Sequence, residues 1–205
     1  MRITGITELT QSRYAIEIDH EFAFVLYKGE LRQYRIRLDG ELLDADYQMI
    51  VREILPRRAK LRAMNLLKSR EYTEEQLREK LRQGRYPDSV IEEAMDYIRS
   101  FHYVDDLRYA TDYIRMHERT RSRRRIEQDL LGKGITQSIL EQAFTDWQEQ
   151  GGEQDEQAMI QALLEKKGFC AERADYKEWQ KMAAFLQRKG FSYDQICHVM
   201  RGNCC

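Results

Sequence analysis

The side chains in this sequence that could do chemistry are its clustered arginines and lysines. The densest cluster is the stretch 119–125, in which five of seven residues are arginine. Guanidinium and ammonium groups bind phosphates and carboxylates, so the chemistry they support is recognition of an anionic partner. The predicted binding residues form four clusters along the chain: Arg57, Arg58, Lys60 and Arg62; Arg119, Arg121, Arg123, Arg124 and Arg125; Lys166 and Lys167; Arg188 and Lys189.

Basic residues on a helix usually form a solvated face that pairs with nearby glutamates. Residues 57–85 fit that description in part, because ten Lys or Arg stand there beside four Glu. In the stretch 119–125, however, the arginines repel one another and need an anionic partner or an acidic protein surface. We therefore predict partner binding there. The regions near Glu92 and Gly152 are acidic, and a chain with two differently charged faces suits a mixed-charge protein partner as well as a nucleic acid.

A catalytic site has little support in the sequence. The four histidines are scattered, and the chain has no glycine-rich phosphate loop, nucleophile elbow or activated-cysteine motif. Asp105 and Asp106 could be the metal-binding carboxylates of a nuclease. A helix N-cap explains them more simply, since an aspartate there accepts hydrogen bonds from free backbone N–H groups. We predict a protein that is not an enzyme and that uses no metal and no cofactor.

Composition and cysteine usage limit the class of protein. A net charge of −1 excludes a globally basic nucleic-acid binder, and a charged fraction of 34% suits a string of small helical units. There is no run of about eighteen apolar residues and no N-terminal signal segment, so no membrane contact is expected. The four cysteines lack disulfide or metal spacing, which predicts reduced thiols and a cytoplasmic location. The pair Cys204-Cys205 could be a lipidation signal, but nothing else indicates a membrane.

The first fifty residues predict a small β-rich segment. Residues 13–19 and 21–27 alternate and are rich in aromatic and β-branched side chains, with Asp19-His20 as a tight turn between two strands. Residues 2–7 are a candidate third strand. From about Asp44 onward the apolar residues recur at the spacing of an α-helix, so helices are predicted there.

One segment recurs three times at a period of about fifty residues. Residues 85–95, 134–144 and 190–200 align, and Gly134 and Gly190 suit the left-handed conformation that commonly ends a helix. In the first repeat Arg85 holds this position and Gly84 precedes it, which leaves open a turn shifted by one residue. Apolar residues four and eight positions before each turn mark the preceding helix: Leu77 and Leu81, Ile126 and Leu130, Met182 and Leu186.

A further helix precedes each pair, at about residues 59–69, 107–118 and 154–167, so that every repeat is a three-helix unit. Residues 73–76 form a predicted capping box, and Gly151-Gly152 is the expected flexible boundary. The predicted fold is therefore mainly α, with three tandem three-helix repeats of helix-turn-helix type in an elongated array. The predicted segments are a β-rich segment at 1–52, repeat 1 at 57–104, repeat 2 at 105–149 and repeat 3 at 153–201.

The repeats also contain motifs that resemble the RecX family, the bacterial regulatory proteins of the RecA recombinase. The resemblance extends over residues 58–200, and the strand pair fits the family's variable front end. One departure is the segment Arg121-Ser-Arg-Arg, where the family often has a glycine. The motifs are Tyr72-Thr-x-x-Gln-Leu-Arg-x-Lys-Leu81, Tyr103-Val-Asp-Asp-x-Arg-Tyr-Ala110, Arg124-Arg-Ile-x-x-Asp-Leu130, Lys133-Gly-Ile135 and Phe185-Leu-x-Arg-Lys-Gly-Phe-Ser-Tyr-Asp-x-Ile196.

This resemblance implies a curved molecule of tandem three-helix repeats that binds RecA, typically within the groove of the RecA–DNA filament. It implies a negative modulator that restrains filament growth, ATP hydrolysis, strand exchange and coprotease activity. Such a protein acts in homologous recombination, DNA repair and the SOS response. The expected partner is the RecA filament, contacted by a monomer through the basic residues above, with weak contacts to single- or double-stranded DNA.

Two other functions stay open on the sequence alone. The helix-turn-helix character of each repeat suggests a direct DNA-binding regulator, which would bind DNA without RecA and with a steep salt dependence. A nuclease would use Asp105 and Asp106, and its metal-dependent cleavage would be lost in an Asp105→Asn variant.

Overall fold

The computed structural model describes residues 1–171 and 173–202. The pair Cys204-Cys205, considered above as a lipidation signal, lies outside the described residues, whereas Cys170 and Cys197 are free thiols. The chain divides into two compact units, Met1–Asp105 and Asp106–Cys205. No helix within the described ranges is both long enough and apolar enough to cross a membrane.

The N-terminal segment of unit 1 is an antiparallel sheet with the strand order β1-β2-β3. The strands are β1 (Ile3–Thr10), β2 (Arg13–Ile18) and β3 (Glu21–Tyr27). Asp19 and His20 join β2 to β3 with φ angles of 51° and 70°, the left-handed pair that a two-residue hairpin turn requires. The predicted strand pair, its turn and the third strand are confirmed.

Helical structure follows the sheet at once. It begins with α1 (Lys28–Gln33), which the sequence patterns do not predict, and continues with α2 (Asp44–Met49), a π-helical turn (Ile50–Ile54) and α3 (Leu55–Ser69). Pro56 lies in the first turn of α3. A proline lacks one hydrogen bond and presses on the carbonyl four residues back, and the wider π-helical turn accommodates both effects. The predicted change to a helical period at Asp44 is confirmed.

The sheet and the first repeat share one hydrophobic core. Repeat 1 consists of α3, α4 (Glu74–Gln83) and α5 (Asp88–Ser100). Ile16 and Phe24 of the sheet are buried in the same cluster as Leu77 of α4 and Ile91 of α5. Burial of each such side chain contributes about 2 kcal/mol, so the sheet and the helices stabilise one another.

Ion pairs also stabilise repeat 1. The carboxylate of Glu74 accepts hydrogen bonds from Arg99, with a shortest distance of 2.8 Å, and from Arg78 at 3.3 Å. These arginines lower the pKa of Glu74 below its ordinary value, although burial opposes them. The predicted capping box of α4 is confirmed, because Thr73 and Gln76 bond to one another's backbone N–H groups.

Unit 2 contains the other two repeats, each with its own core. Repeat 2 consists of α6 (Asp106–His117), α7 (Arg123–Leu131) and α8 (Gln137–Glu149). Repeat 3 consists of α9 (Glu156–Lys166), α10 (Tyr176–Arg188) and α11 (Tyr193–Gly202). Phe144 and Trp147 are the largest buried side chains of repeat 2, and Phe191 is buried in repeat 3. The prediction of three tandem three-helix repeats is confirmed.

The turn between the second and third helix has the same geometry in all three repeats. The N–H after each turn residue donates to the carbonyl five residues back, from Ile135 to Leu130 at 3.1 Å and from Phe191 to Leu186 at 3.4 Å. Gly134 and Gly190 have φ angles of 87° and 97°, as predicted.

In repeat 1 the equivalent bond runs from Tyr86 to Leu81 at 3.5 Å. Gly84 has an ordinary φ of −71°, whereas Arg85 itself has a φ of 59°. The first turn is therefore not shifted by one residue, and a side-chain-bearing residue takes the left-handed position.

Tyr72 stands among charged residues in the sequence, yet its side chain is only 7% exposed and packs in the core of unit 1. Its ring is therefore not available to stack on a nucleic-acid base. Asp106 is the first residue of α6 and Asp105 directly precedes it, so the two aspartates lie at a helix N-terminus, as the capping interpretation expects.

Candidate partner-binding surface

The arginine-rich stretch 119–125 spans the connection from α6 to α7. Ser122 ends this connection, and its hydroxyl accepts a hydrogen bond from the N–H of Arg125 at 3.2 Å, which makes Ser122 the N-cap of α7. The side chain of Ser122 is buried. The first two arginines therefore lie on the connection, and the other three form the first turn of α7.

Most of these arginines are neutralised within repeat 2. Asp129 pairs with Arg121 and, at 3.0 Å, with Arg125, while Glu127 pairs with Arg123 at 2.9 Å. Two of these pairs have the i,i+4 spacing that brings side chains together on one helix face. The sequence predicts that the run needs an anionic partner or an acidic protein surface, and α7 itself supplies carboxylates to these three arginines. Whether they also bind a partner stays a prediction.

Arg119 and Arg124 remain directed at solvent. The side chain of Arg119 is 90% exposed, and its nearest carboxylate, that of Glu118, is 3.7 Å away. Arg124 is exposed, and within residues 1–171 and 173–202 no carboxylate pairs with it. These two residues keep their charge available for a partner.

A small polar network supports the arginine stretch from α6. The Tyr113 hydroxyl donates to Asp129 at 3.2 Å and accepts from Arg121 at 2.7 Å, and its ring lies 4.3 Å from the imidazole of His117. Burial lowers the pKa of His117 below 6.5, and the charge of Arg121 lowers it further. Burial also raises the pKa of Tyr113, with Asp129 adding to the effect. The network therefore favours a neutral imidazole beside a paired arginine.

Repeat 3 packs against this connection through backbone hydrogen bonds. The N–H of Ser122 donates to the Lys189 carbonyl at 3.1 Å. The side-chain amide of Gln154 donates to the carbonyls of Glu118 and Arg121, both at 2.7 Å. The N–H of Arg123 donates to the Glu156 carboxylate at 2.9 Å. The bond from Ser122 to Lys189 joins two backbone groups, which cannot turn away by a rotamer change as the partners of a surface ion pair can.

This contact brings together basic residues from three separate parts of the sequence. Arg119, Lys166 and Lys189 line one hollow of about 580 Å³. The ammonium groups of Lys167 and Lys189 lie 5.3 Å and 6.0 Å from the centroid of the Phe185 ring. We call the surface formed by Arg119, Lys166, Lys167 and Lys189 the junction surface.

The hollow at the junction surface has an apolar floor. The floor is provided by Ala158, Met159, Ala162 and Leu163 of α9, and both alanines are exposed. These four residues are not among the candidate binding residues predicted from the sequence. A signal was present, because apolar side chains cover more of α9 than the single stripe that a three-helix core buries.

The acidic groups around the hollow mostly have structural roles. Glu118 accepts a hydrogen bond from the Trp147 indole at 2.8 Å, and Asp155 caps α9. Glu153 is exposed at the rim. Three basic and three acidic residues therefore border the apolar strip, and two of the acids have structural roles. Such a strip is suited to binding the apolar and charged side chains of a protein.

The predicted basic residues of unit 1 are divided between two hollows. Most of the Arg58 guanidinium is engaged in contacts within unit 1. It donates to the Val25 carbonyl at 3.1 Å, pairs with Glu30 and lies over the Tyr27 ring. Lys60 pairs with Glu93 at 2.7 Å.

Arg57 and Arg62 of unit 1 and Arg188 of unit 2 are exposed. Arg57 and Lys60 line one hollow, and Arg58 and Arg62 line another.

Three stretches of the chain match family descriptions of known proteins. Residues 59–97 match "RecX, first three-helix domain", residues 105–143 match "RecX, second three-helix domain", and residues 153–200 match "RecX, third three-helix domain". The three matches follow the order of the three repeats.

Similar whole proteins carry the same name. A "Regulatory protein RecX" of Vibrio parahaemolyticus is 35% identical over 139 residues, which are 67% of this chain and 86% of that protein. One of Clostridium acetobutylicum is 29% identical over 194 residues, which are 93% of this chain and 90% of that protein. A solved structure of regulatory protein RecX is 24% identical, covers 98% of both chains and superimposes with a TM-score of 0.59, a likeness of fold.

Proposed function

The chain belongs to the RecX family, and on that premise we propose that it is a negative modulator of the RecA recombinase. In this proposal the protein binds the groove of the RecA–DNA filament and restrains filament growth, ATP hydrolysis, strand exchange and coprotease activity. It does so by binding alone, without catalysis. The name "Regulatory protein" carried by its relatives supports such a role.

The observation that carries the proposal is the junction surface. Three basic segments that are far apart in sequence lie there around one apolar strip, and the backbone bonds between repeats 2 and 3 hold them in place. Preorganised groups bind with less loss of conformational entropy than groups on a flexible chain. An apolar centre with a charged rim is the usual composition of a protein interface.

Restraint of the filament then follows from where such a protein binds. A bound protein shifts an equilibrium only through its different affinities for two states. A ligand seated in the filament groove stabilises filament arrangements that accommodate it, and it disfavours those in which neighbouring RecA subunits must move during ATP hydrolysis.

We also propose the segments 57–104, 105–149 and 153–201 as the three binding modules, used by a monomer with weak contacts to DNA phosphates. Several modules on one chain raise the effective concentration of each after the first has bound.

The test is a titration of the full chain into RecA bound to single-stranded DNA, with ATP hydrolysis as the readout. Substoichiometric protein should slow hydrolysis. The double variant Arg119→Glu, Lys166→Glu should need about tenfold more protein for the same effect, because two exposed charges of about 0.7 kcal/mol each are reversed. The matched control is Arg32→Glu, Arg37→Glu, which changes the net charge equally at exposed positions of unit 1 and should behave as the parent.

The possible outcomes test the proposed function and the role of the junction surface separately. Unchanged hydrolysis at equimolar wild-type protein overturns the proposed function. If the wild type slows hydrolysis and the double variant does so equally well, the function stands and the junction surface is wrong. Tight DNA binding without RecA near physiological salt would instead favour the direct DNA-binding regulator.

A further inference from the structure

Arg85 has a left-handed backbone conformation, and glycine occupies the equivalent turn position in the other two repeats. Its φ of 59° matches the turn position held by Gly134 and Gly190 in the other repeats. A side chain at positive φ is strained by contact between Cβ and the following carbonyl. Strained positions often coincide with functional sites.

Arg85 borders a small hollow within unit 1 that is rich in arginine. Arg13 of β2, Arg58 and Arg62 of α3, and Arg85 of the turn all line it. We call this site the arginine hollow. Its floor is formed by buried residues, Val25, Leu55 and Gly84, and two tyrosines, Tyr27 and Tyr86, complete the lining.

The positive charge in the arginine hollow is poorly balanced. Arg58 pairs with Glu30, and Arg13 donates one N–H to the Gly84 carbonyl at 2.9 Å. Arg62 and Arg85 are exposed, and in the part of the chain that the structure describes neither has an ion pair. Of the four arginines that line the hollow, Arg58 is therefore the one with a carboxylate partner among the described residues.

The size of the hollow limits what could balance this charge. Its volume is about 40 Å³, so it suits a small anionic group and not a large ligand.

We propose that the arginine hollow is a binding site for a phosphate group. Guanidinium groups match phosphate oxygens with paired N–H donors, and the four arginines that line the hollow lie on a strand, a helix and a turn. Three arginines without a carboxylate partner suit a group with several anionic oxygen acceptors, whether a phosphate ion or a phosphodiester. Burial of the floor strengthens the attraction, because water screens less there. The site lies in unit 1. As a phosphodiester site it rests on the DNA contacts of the proposed function, whereas a site for free phosphate does not depend on that function.

The same phosphate chemistry could come from free inorganic phosphate or from a phosphodiester of a nucleic-acid strand. Two titrations of the full-length chain distinguish these sources. One uses inorganic phosphate at constant ionic strength, followed by calorimetry. The other uses a fluorescent single-stranded dT oligonucleotide, followed by anisotropy. Saturation by inorganic phosphate identifies a site for the free ion, and saturation by the oligonucleotide alone identifies a phosphodiester site.

The decisive variant is Arg85→Gly, which removes the guanidinium and places at this turn the residue found in the other two repeats. Because glycine accepts positive φ without strain, the variant should fold at least as stably as the parent. It should bind the saturating probe about tenfold more weakly. The matched control is Arg35→Gly, another exposed arginine with a φ of 51°, which lies outside the hollow and should bind as the parent does.

A second variant, Arg62→Ala, tests the same hollow from α3 and should weaken binding in the same way. The proposal is overturned if neither probe gives saturable binding to the wild type. It is equally overturned if Arg85→Gly binds as tightly as Arg35→Gly.

Discussion

Replacement of Gly190 by alanine tests whether repeats 2 and 3 are held together as the structure indicates. Gly190 has a φ of 97°, and a Cβ at this position would overlap the Ser122 hydroxyl and the Cβ of Arg125, and would lie 3.0 Å from the Arg125 nitrogen. The added methyl group therefore meets the N-terminus of α7, where backbone and a buried cap leave little room to move.

The expected loss of stability has two parts. An alanine at positive φ costs about 1–2 kcal/mol. To make room, the turn must withdraw from α7, which breaks the bond from Ser122 to Lys189 and disturbs the Ser122 cap, at a cost of about 1 kcal/mol each. The sum is about 3–4 kcal/mol. Gly151→Ala is the matched control, since Gly151 has a φ of 85° with nothing within 4 Å of the added Cβ, so only the first part applies.

The assay is urea unfolding of the full chain, followed by circular dichroism, together with hydrogen exchange at the Ser122 amide. Gly190→Ala should unfold at a urea concentration about 1 M lower than Gly151→Ala, given an m-value of about 2 kcal/mol/M. Its Ser122 amide should also exchange faster. If the two variants unfold at the same urea concentration with equal protection of Ser122, the contact between repeats 2 and 3 is not as described.

Two further predictions concern the arginine stretch. Arg121→Ala should lower the free energy of unfolding in urea by about 1–2 kcal/mol, because Asp129 and Tyr113 lose a partner. Arg124→Ala should change the same free energy by less than about 0.5 kcal/mol. Equal losses in the two variants would contradict the pairing of Arg121. Stability should also fall as the pH drops below 6.5, because the depressed pKa of His117 lets the unfolded chain bind a proton before the folded one does. Above that pH the contribution of His117 to stability is complete. The measurement is the difference between the urea midpoints at pH values of about 7.5 and 5.5, and His117→Gln should reduce that difference. An unchanged difference in the variant would exclude the neutral imidazole.

The repeats could be predicted from the sequence because their signals are local. Gly134 and Gly190 stand at the one turn position that requires positive φ, and the apolar residues four and eight positions earlier lie on a single helix face. The hairpin turn at Asp19-His20 is equally local. In contrast, α1 has no buried residue and a length of six residues, so no apolar stripe marks it.

The site was less predictable because non-local contacts form it. Gln154 bonds to the carbonyls of Glu118 and Arg121, and no spacing rule relates an amide to backbone atoms that far along the chain. Arg13 and Gly84 are 71 residues apart, so their shared hollow leaves no trace in the sequence. The carboxylates that neutralise the arginine stretch were visible at i,i+4, but charge density alone does not show that they pair. Whether the basic residues bind a partner stays a prediction.

The shared core of the sheet and the first repeat has a consequence for synthesis of the chain on the ribosome. Every residue that this core needs lies within Met1–Asp105, so no later segment is required to complete it. At about 5–20 residues per second, translation of the hundred residues that follow takes roughly 5–20 s. A mixed α/β domain folds in well under that time. Unit 1 can therefore reach its native packing while the rest of the chain is still being made, and its apolar strands are covered before the helices of unit 2 emerge.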